Sequence, residues 1–452
     1  MLKLYNTLSK KFEEIPKKDH INLYTCGPTV YNYAHIGNLR SYVMADLLYR
    51  TLKLDGYNPK WVMNITDIDD KTIKGAIAKH GSRATVENLR EYTKFYFDEF
   101  LKDLGKVNVL KDEVEFIRVT DVMPQIQEFI MALMAKGYAY KAEDGSTYFS
   151  IDKYQKDFGD YGELVGHKFL EGKKIGARVA VDEYEKDNLS DFALWKAWDE
   201  LSDAQIFWDH PVLGKGRPGW HIECSVINRV AFKGEPTDIH TGGVDLVFPH
   251  HTNEIAQSQA LLGKGNFVRH WFHSEHLLVD GKKMSKSAGN FYTLQDLQQK
   301  NPYAGNVLRY SFLQAKYRAQ QNFTDESLIA SQRAIAGVYG VLQSGADRAK
   351  SNMEAAHVGL DDDLNVPGAL AKGSAEFIYQ SLLGVGVLPP RRSGDEVQEL
   401  SGEVKDLAVA RLQARRQKDF QKSDELRKQI EDQGYEVMDT PEGQKVKKRL
   451  QI

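Results

Sequence analysis

Cys26 and Cys224 are the only thiols in this chain of 452 residues, and each stands near residue types that bind metals or phosphates. Cys26 lies in TCGPTVYNYAHIGNLR, nine positions before His35. Cys224 lies in GRPGWHIECS, which is followed by DIHTGGVDLVFPHHTNEIAQS. In that run Pro249 suits the first position of a helix, so that His250 and Glu254, four apart, share one face. Two thiols, an imidazole and a carboxylate make a four-ligand zinc set, because Zn²⁺ accepts all three donor types. Spacing leaves the set open. His251 is three from Glu254 and nearly as good a ligand by geometry, and the closely paired cysteines of a zinc ribbon are absent. The competing reading is that the cysteines are packed hydrophobes and the histidines cap a helix.

A second constellation suits phosphate. GKKMSKSAGN (281–290) places Lys283 and Lys286 three apart in a short loop between Gly281 and Gly289, offering point charges and backbone donors to a polyphosphate. HIGN, from His35 to Asn38, opens a helix after a strand. Helix N-termini bind phosphates, and Gly37 lets a nucleotide come close.

These residues need a scaffold, and the pattern predicts one. INLYTC (21–26) reads as a strand, and NLRSYVMADLLYRTLKLDG as an amphipathic helix with Leu39, Val43 and Leu47 on one face and Gly56 as its stop. WVMNIT (61–66) reads as a second strand, giving a βαβ unit of a parallel sheet. Ligands bind beyond the carboxyl ends of such strands, where Cys26 and Thr66 fall, with His35 in the loop between. From about Asp112 to Glu200 the pattern turns irregular, as expected of an insertion, and the α/β signal returns near Trp220. After Asn290 the chain reads as mostly helical, ending in one basic helix, RLQARRQKDFQKSDELRKQIEDQ, and a strand GYEVMDT.

Composition bounds the setting. With 42% hydrophobic and 27% charged residues the chain is of globular type, long enough for two to four domains. No stretch approaches the roughly 18 apolar residues of a membrane span, so a cytoplasmic protein without a membrane partner is expected. Its net charge of −3 means that any nucleic-acid surface must be local. Between Arg411 and Lys428 seven basic residues stand against three acidic ones, which on composition alone reads as a solvated helix face and becomes a nucleic-acid surface only through the resemblance given below.

CGPTVYNYAHIGN, NITDIDDK, GRPGWHIECS, FPHHTNEIAQS and KMSKS, in this order, closely resemble the bacterial cysteinyl-tRNA synthetases, which are class I aminoacyl-tRNA synthetases. The likeness extends to GARVAVDEYEKDNLSDFALWK, DDDLNVPGALA and the terminal DTPEG. It implies an α/β fold: a Rossmann-like parallel sheet with an inserted connective domain, then a helical bundle and a small mixed terminal domain. The expected bounds are 1–115 and 206–270 for the two catalytic halves and 116–205 for the insertion. They are 271–328 for the region carrying the lysine loop, 329–402 for the bundle and 403–452 for the anticodon-binding domain.

The resemblance also implies roles. Cys26, Cys224, His250 and Glu254 hold one zinc, which selects His250 over His251. His35, Gly37 and Asn38 contact ATP, Lys283 and Lys286 the departing pyrophosphate, with Lys286 the more important. Thr66, Trp220 and His240 line the substrate pocket. L-cysteine, ATP with Mg²⁺, and tRNA(Cys) are the implied partners of a monomer. Asn38 replaces the last histidine of the class I signature, a variant the family also uses, and Thr252 stands where the family usually has Glu. A ligase that activates cysteine on the same scaffold and passes it to an amino-sugar is the alternative, though such relatives lack the C-terminal region.

Overall fold

Ile21–Thr25 (β1) is buried at every position, the mark of a strand in the middle of a parallel sheet covered on both faces. Ile36–Leu54 (α1) returns the chain to Pro59–Ile65 (β2), and two helices later Val114–Arg118 (β3) forms one edge. After the insertion, Trp220–Ala231 (α2) leads to Thr237–Gly243 (β4), and Thr252–Leu262 (α3) leads to Val268–Ser274 (β5) at the other edge. The strand order is β5-β4-β1-β2-β3, all parallel. The chain winds outward in one direction from β1 and in the other from β4, so β1 and β4 flank the topological switch point, where α/β sheets open a crevice for ligands. The computed structural model describes residues 1–159, 161–166, 174–179, 188–284, 289–344, 358–384, 402–417, 419–440 and 443–448.

Several sequence expectations change here. The helix α1 is not amphipathic in place: besides the Leu39, Val43 and Leu47 stripe it buries Tyr42, Met44, Ala45, Asp46, Tyr49 and Thr51. It is buried because the sheet covers one side and helices from beyond residue 300, carrying Leu308 and Phe312, cover the other. The edge strand β3 runs to Arg118, three residues past the expected end of the first catalytic half, because it pairs with β2 through Ile65. The insertion is an antiparallel sheet built from Ala139–Lys141, Thr147–Phe149, Asn188–Ala197 and Gly216–Pro218, with Lys174–Val179 parallel to Asn188–Ala197.

Asp46 links α1 to the helical half of the chain. Its carboxylate accepts from Arg309 at 2.5 Å, from Arg50 at 2.8 Å and from the Leu110 backbone at 2.9 Å. Arg309, on the helix Ala304–Leu313, also donates to the carbonyls of Val107 and Leu382. Asp46 and Arg309 are both fully buried.

The single basic helix expected near the C-terminus is two, Gly402–Arg416 and Phe420–Asp432, because Asp419 caps the second by accepting from the Lys422 N–H. They pack with the hairpin Tyr435–Thr440/Gly443–Lys448 around Val404, Ala408, Ile430 and Val437. Arg411, counted in the basic surface, is buried and paired with both oxygens of Asp439 at 3.0 Å, so it serves packing.

Candidate active site and metal centre

Cys26 follows β1 directly, and its N–H donates to the Thr241 carbonyl of β4 at 3.0 Å, which places the thiol at the mouth of the switch point. Cys224 comes from α2 and Glu254 from α3. Pro249 does not open a regular helix: Phe248 is extended, so the chain kinks within Val247–His251, and α3 starts only at Thr252. Both histidines after the kink reach the same carboxylate, with His250 Nε2 3.1 Å and His251 Nε2 3.8 Å from Glu254 Oε1.

Cys26 Sγ lies 3.8 Å from Cys224 Sγ, 3.8 Å from Glu254 Oε1 and 3.2 Å from His251 Nε2. His250 Nε2 lies 3.4 Å from Cys224 Sγ. Ligands around one tetrahedral zinc stand about 3.8 Å apart for two sulfurs and about 3.5 Å for sulfur and nitrogen, given the usual bond lengths. The cysteines are therefore free thiols at ligand spacing, not a disulfide. The tightest group, with donor atoms within 4.8 Å of one another, is Cys26, His250, His251 and Glu254, and Cys224 adjoins it through Cys26 and His250. A buried carboxylate among soft and borderline donors is a set that a zinc ion fits.

The electrostatics agree. Burial alone would raise the Glu254 carboxyl, but His240 and His250 bring it down to about 2. Burial would likewise lower His250, but Cys224 and Glu254 hold it up at about 10. The Cys224 thiol, which burial would raise, falls to about 6 beside Cys26 and His250, whereas burial pushes Cys26 well up. A cluster with these protons must release them to take up a metal. Burial, with crowding by neighbouring imidazoles, keeps His221, His251 and His273 neutral.

Of the expected pocket residues, His240 and Trp220 touch this group, whereas Thr66 reaches Glu223. His240 Nε2 is 3.0 Å from Glu254 Oε2, and its ring stacks on Trp271. Trp220, the first residue of α2, packs against His250 in a tilted pair with 4.3 Å between ring centres. Thr66, just past β2, donates to Glu223 at 2.8 Å. Glu223, Trp271 and His273 were not singled out from the sequence. Their signal was local: Glu223 precedes Cys224, and Trp271 and His273 alternate on one face of β5.

The phosphate end lies at the start of α1. His35 is its N-cap, with Nδ1 accepting from the Asn38 N–H at 3.2 Å while Asn38 Oδ1 accepts from the His35 N–H at 3.3 Å. Burial lowers His35 to about 4. It is therefore neutral, with Nδ1 as acceptor and the proton on Nε2. A Cβ at Gly37 would come 2.6 Å from the end of the flexible Met284 side chain, which lies against the helix start. The Ile36 N–H donates to Tyr292 and the His35 ring packs on Phe291, which ties both sides of the loop to HIGN. Lys283 is exposed on the short strand Lys282–Lys283. Lys286 lies outside the described residues.

His270, buried on β5, is also held at about 4 by burial. Both His35 and His270 titrate below the usual value of about 6.5. As pH falls below that value the unfolded chain takes up protons that the folded chain refuses, so stability declines towards pH 4 and these groups contribute nothing above pH 7. Chemical denaturation should show this loss reaching about 3 kcal/mol per histidine. His270→Gln should flatten the slope between pH 6.5 and pH 4, and an unchanged slope would refute the assignment.

The family model described as tRNA synthetases class I (C) catalytic domain matches residues 12–333. The solved methionyl-tRNA synthetase of Mycobacterium tuberculosis, bound by methionyl-adenylate, shares the fold with a TM-score of 0.57 at 16% identity, over 80% of this chain and 82% of that one. A switch-point sheet with a capped HIGN helix and an adjoining lysine loop is thus the catalytic domain of a class I tRNA synthetase. The cysteine–tRNA ligases of Chlamydia muridarum and Protochlamydia amoebophila are each 42% identical to this chain. The matches cover 98% of this chain and 99% of the first relative, and 99% of this chain and 98% of the second. The chain belongs to the cysteine–tRNA ligase family. No helix among the described residues is long and apolar enough to cross a membrane.

Proposed function

We propose that this chain joins L-cysteine and ATP into cysteinyl-adenylate, releasing pyrophosphate, and then passes the cysteinyl group to the 3′-terminal adenosine of tRNA(Cys). The observation that carries this reading is the buried group of thiols, imidazoles and one carboxylate at the mouth of a nucleotide-binding sheet. The substrate carboxylate is already ionised at neutral pH and needs no general base. The chain's work is alignment with the α-phosphorus and stabilisation of charge on phosphate oxygens. His35 offers its Nε2–H and Asn38 its side-chain amide to those oxygens, and Gly37 keeps the approach open. Lys283 and Lys286 meet the departing pyrophosphate, with Mg²⁺ accompanying ATP. Thr66, Trp220 and His240 close around the amino acid.

Held by Cys26, Cys224, His250 and Glu254, zinc would supply a soft Lewis acid that prefers a thiolate to a hydroxyl, separating cysteine from serine by chemistry where shape discriminates poorly. Pyrophosphate exchange driven by cysteine, and not by serine or methionine, is the expected outcome. Equal exchange with serine would overturn it.

Transfer to an amino-sugar is not favoured, because the curated relatives match this chain through its C-terminal region. That region has its own small core, around Val404 and Ile430. A chain ending near Gly402 should keep cysteine-dependent exchange and lose at least about tenfold in charging tRNA. Binding of tRNA by the intact chain should weaken steeply with salt, because phosphate contacts release counterions. Exchange without any tRNA charging by the intact chain would favour the small-molecule ligase.

A further inference from the structure

We infer that Arg40 is a positioning residue for adenylate formation, setting the distance between the HIGN donors and the lysine loop. The inference rests on the reaction proposed above. Arg40 lies on the second turn of α1, two residues after Asn38, with only 1% of its surface exposed. Burial brings the guanidinium down to about 10, so it stays charged at neutral pH. Its hydrogen-bond partners among the described residues are three backbone carbonyls, and no carboxylate is in ion-pair contact with it. Nη1 donates to the Glu275 carbonyl, and Nη2 to those of Lys316 at 3.2 Å and Ala319 at 3.0 Å.

Those carbonyls stand at the entrance to the platform that carries the lysine loop. Glu275 comes two residues before the strand Leu277–Val279, and Ala319 two before the strand Gln321–Phe323. The two strands pair in parallel, and Leu277–Val279 also pairs with Lys282–Lys283, where the lysine loop begins. The Glu275 N–H donates to the Tyr317 carbonyl at 2.7 Å and the Gln321 N–H to the His276 carbonyl at 3.3 Å, so the two approaches are fastened to each other. One planar fork thus grips both strands of the platform from the helix that opens with His35 and Asn38.

A well-packed hydrophobe can replace a buried charge with little loss of stability, but it cannot fix the direction and length of three hydrogen bonds. The far end of the loop is held by the Tyr292 carbonyl on the Ile36 N–H and by Phe291 against the His35 ring. Arg40 holds the near end. His35 and Asn38 then meet one part of the triphosphate and Lys283 and Lys286 another, at a separation the chain sets. Displacing such groups by about 1 Å costs about 100-fold in rate, so the hold acts on the transition state.

Pyrophosphate exchange by the full-length protein, measured well below its unfolding temperature, tests this. Arg40→Lys keeps the buried charge and an aliphatic stem but cannot span both strands. It should lower kcat about 10- to 100-fold, with KM for cysteine and zinc content within about twofold of wild type. Arg40→Met should lose at least as much. Coupling is the readout that a merely structural role would not move. In protein already carrying Lys286→Ala, Arg40→Lys should cost less than about a third of its effect in the wild-type background, because a group it positions is gone.

An effect of equal size in both backgrounds would overturn the inference. Loss of soluble protein in both Arg40 variants, or a parallel loss of zinc and cysteine affinity, would also overturn it and leave Arg40 to the fold. A wild-type protein without cysteine-dependent exchange would overturn the proposed reaction, whereas an active wild type whose kcat survives Arg40→Lys would overturn this inference alone.

Discussion

Cys26→Ser protein is expected to purify with little or no zinc and to exchange pyrophosphate with cysteine at least about 1000-fold more slowly than wild type, a loss of about 4 kcal/mol at the transition state. Cys26 is the sulfur that touches the most members of the donor group, reaching Cys224, His251 and Glu254. A hydroxyl keeps its proton at neutral pH and is a poor ligand for a soft or borderline ion. The change is nearly isosteric, and the sheet that carries it is buried around Leu23 and Trp61, so the fold should persist. ATP binding should also persist, because His35, Gly37 and the lysine loop are built from other contacts. Elemental analysis and exchange assays on the same sample decide the matter: full zinc content, or wild-type exchange without zinc, would remove the metal from the proposed mechanism.

Asp46→Ala should destabilise the protein by about 3–5 kcal/mol, because it leaves the Arg309 guanidinium buried without its counter-charge. Arg309 has no exposed surface, so water cannot replace the lost carboxylate. The substitution also strips the Leu110 N–H of its acceptor. Asp46→Asn, of similar volume, should recover part of the hydrogen bonding but not the charge. Pairing Asp46→Ala with Arg309→Met should restore much of the loss, since the desolvated cation goes with its partner. Urea denaturation of the three variants measures this, and a loss under about 1 kcal/mol in Asp46→Ala would mean that the pair contributes no more than an exposed one.

The parts of the fold that follow simple patterns were readable. β1, α1 and β2 fall within two residues of their expected bounds, and Gly56, at φ +77°, marks the stop of α1 as its sequence position suggested. β4 was not readable. Its sequence TDIHTGG has one aliphatic residue, although six of its seven positions are buried. Hydrophobic alternation fails there because the buried polar groups are paired, Thr237 with Asn228, Thr241 with Thr25 and His240 with Glu254. The split of the C-terminal helix turned on one capping residue, Asp419, inside a run of mostly polar residues.

At the site, the spacing of His250, His251 and Glu254 narrowed the metal donors without ranking the histidines. Positions three and four apart both reach a common point on a helix. The kink at Phe248, which sequence did not announce, precedes both of them.

The donor group also has a timetable. Cys26 and Glu254 are 228 residues apart in the chain, and neither half of the sheet holds a complete set. During synthesis at about 5–20 residues per second, roughly 10 to 50 s separate the emergence of Cys26 from that of its carboxylate partner. Throughout that interval the nascent first half carries a lone thiol at the edge of an unfinished crevice. On the proposed metal reading, loading would be a late event in the life of each new chain, coupled to closure of the sheet across the switch point, and a ribosome that stalls within the insertion would leave a product with an incomplete donor set.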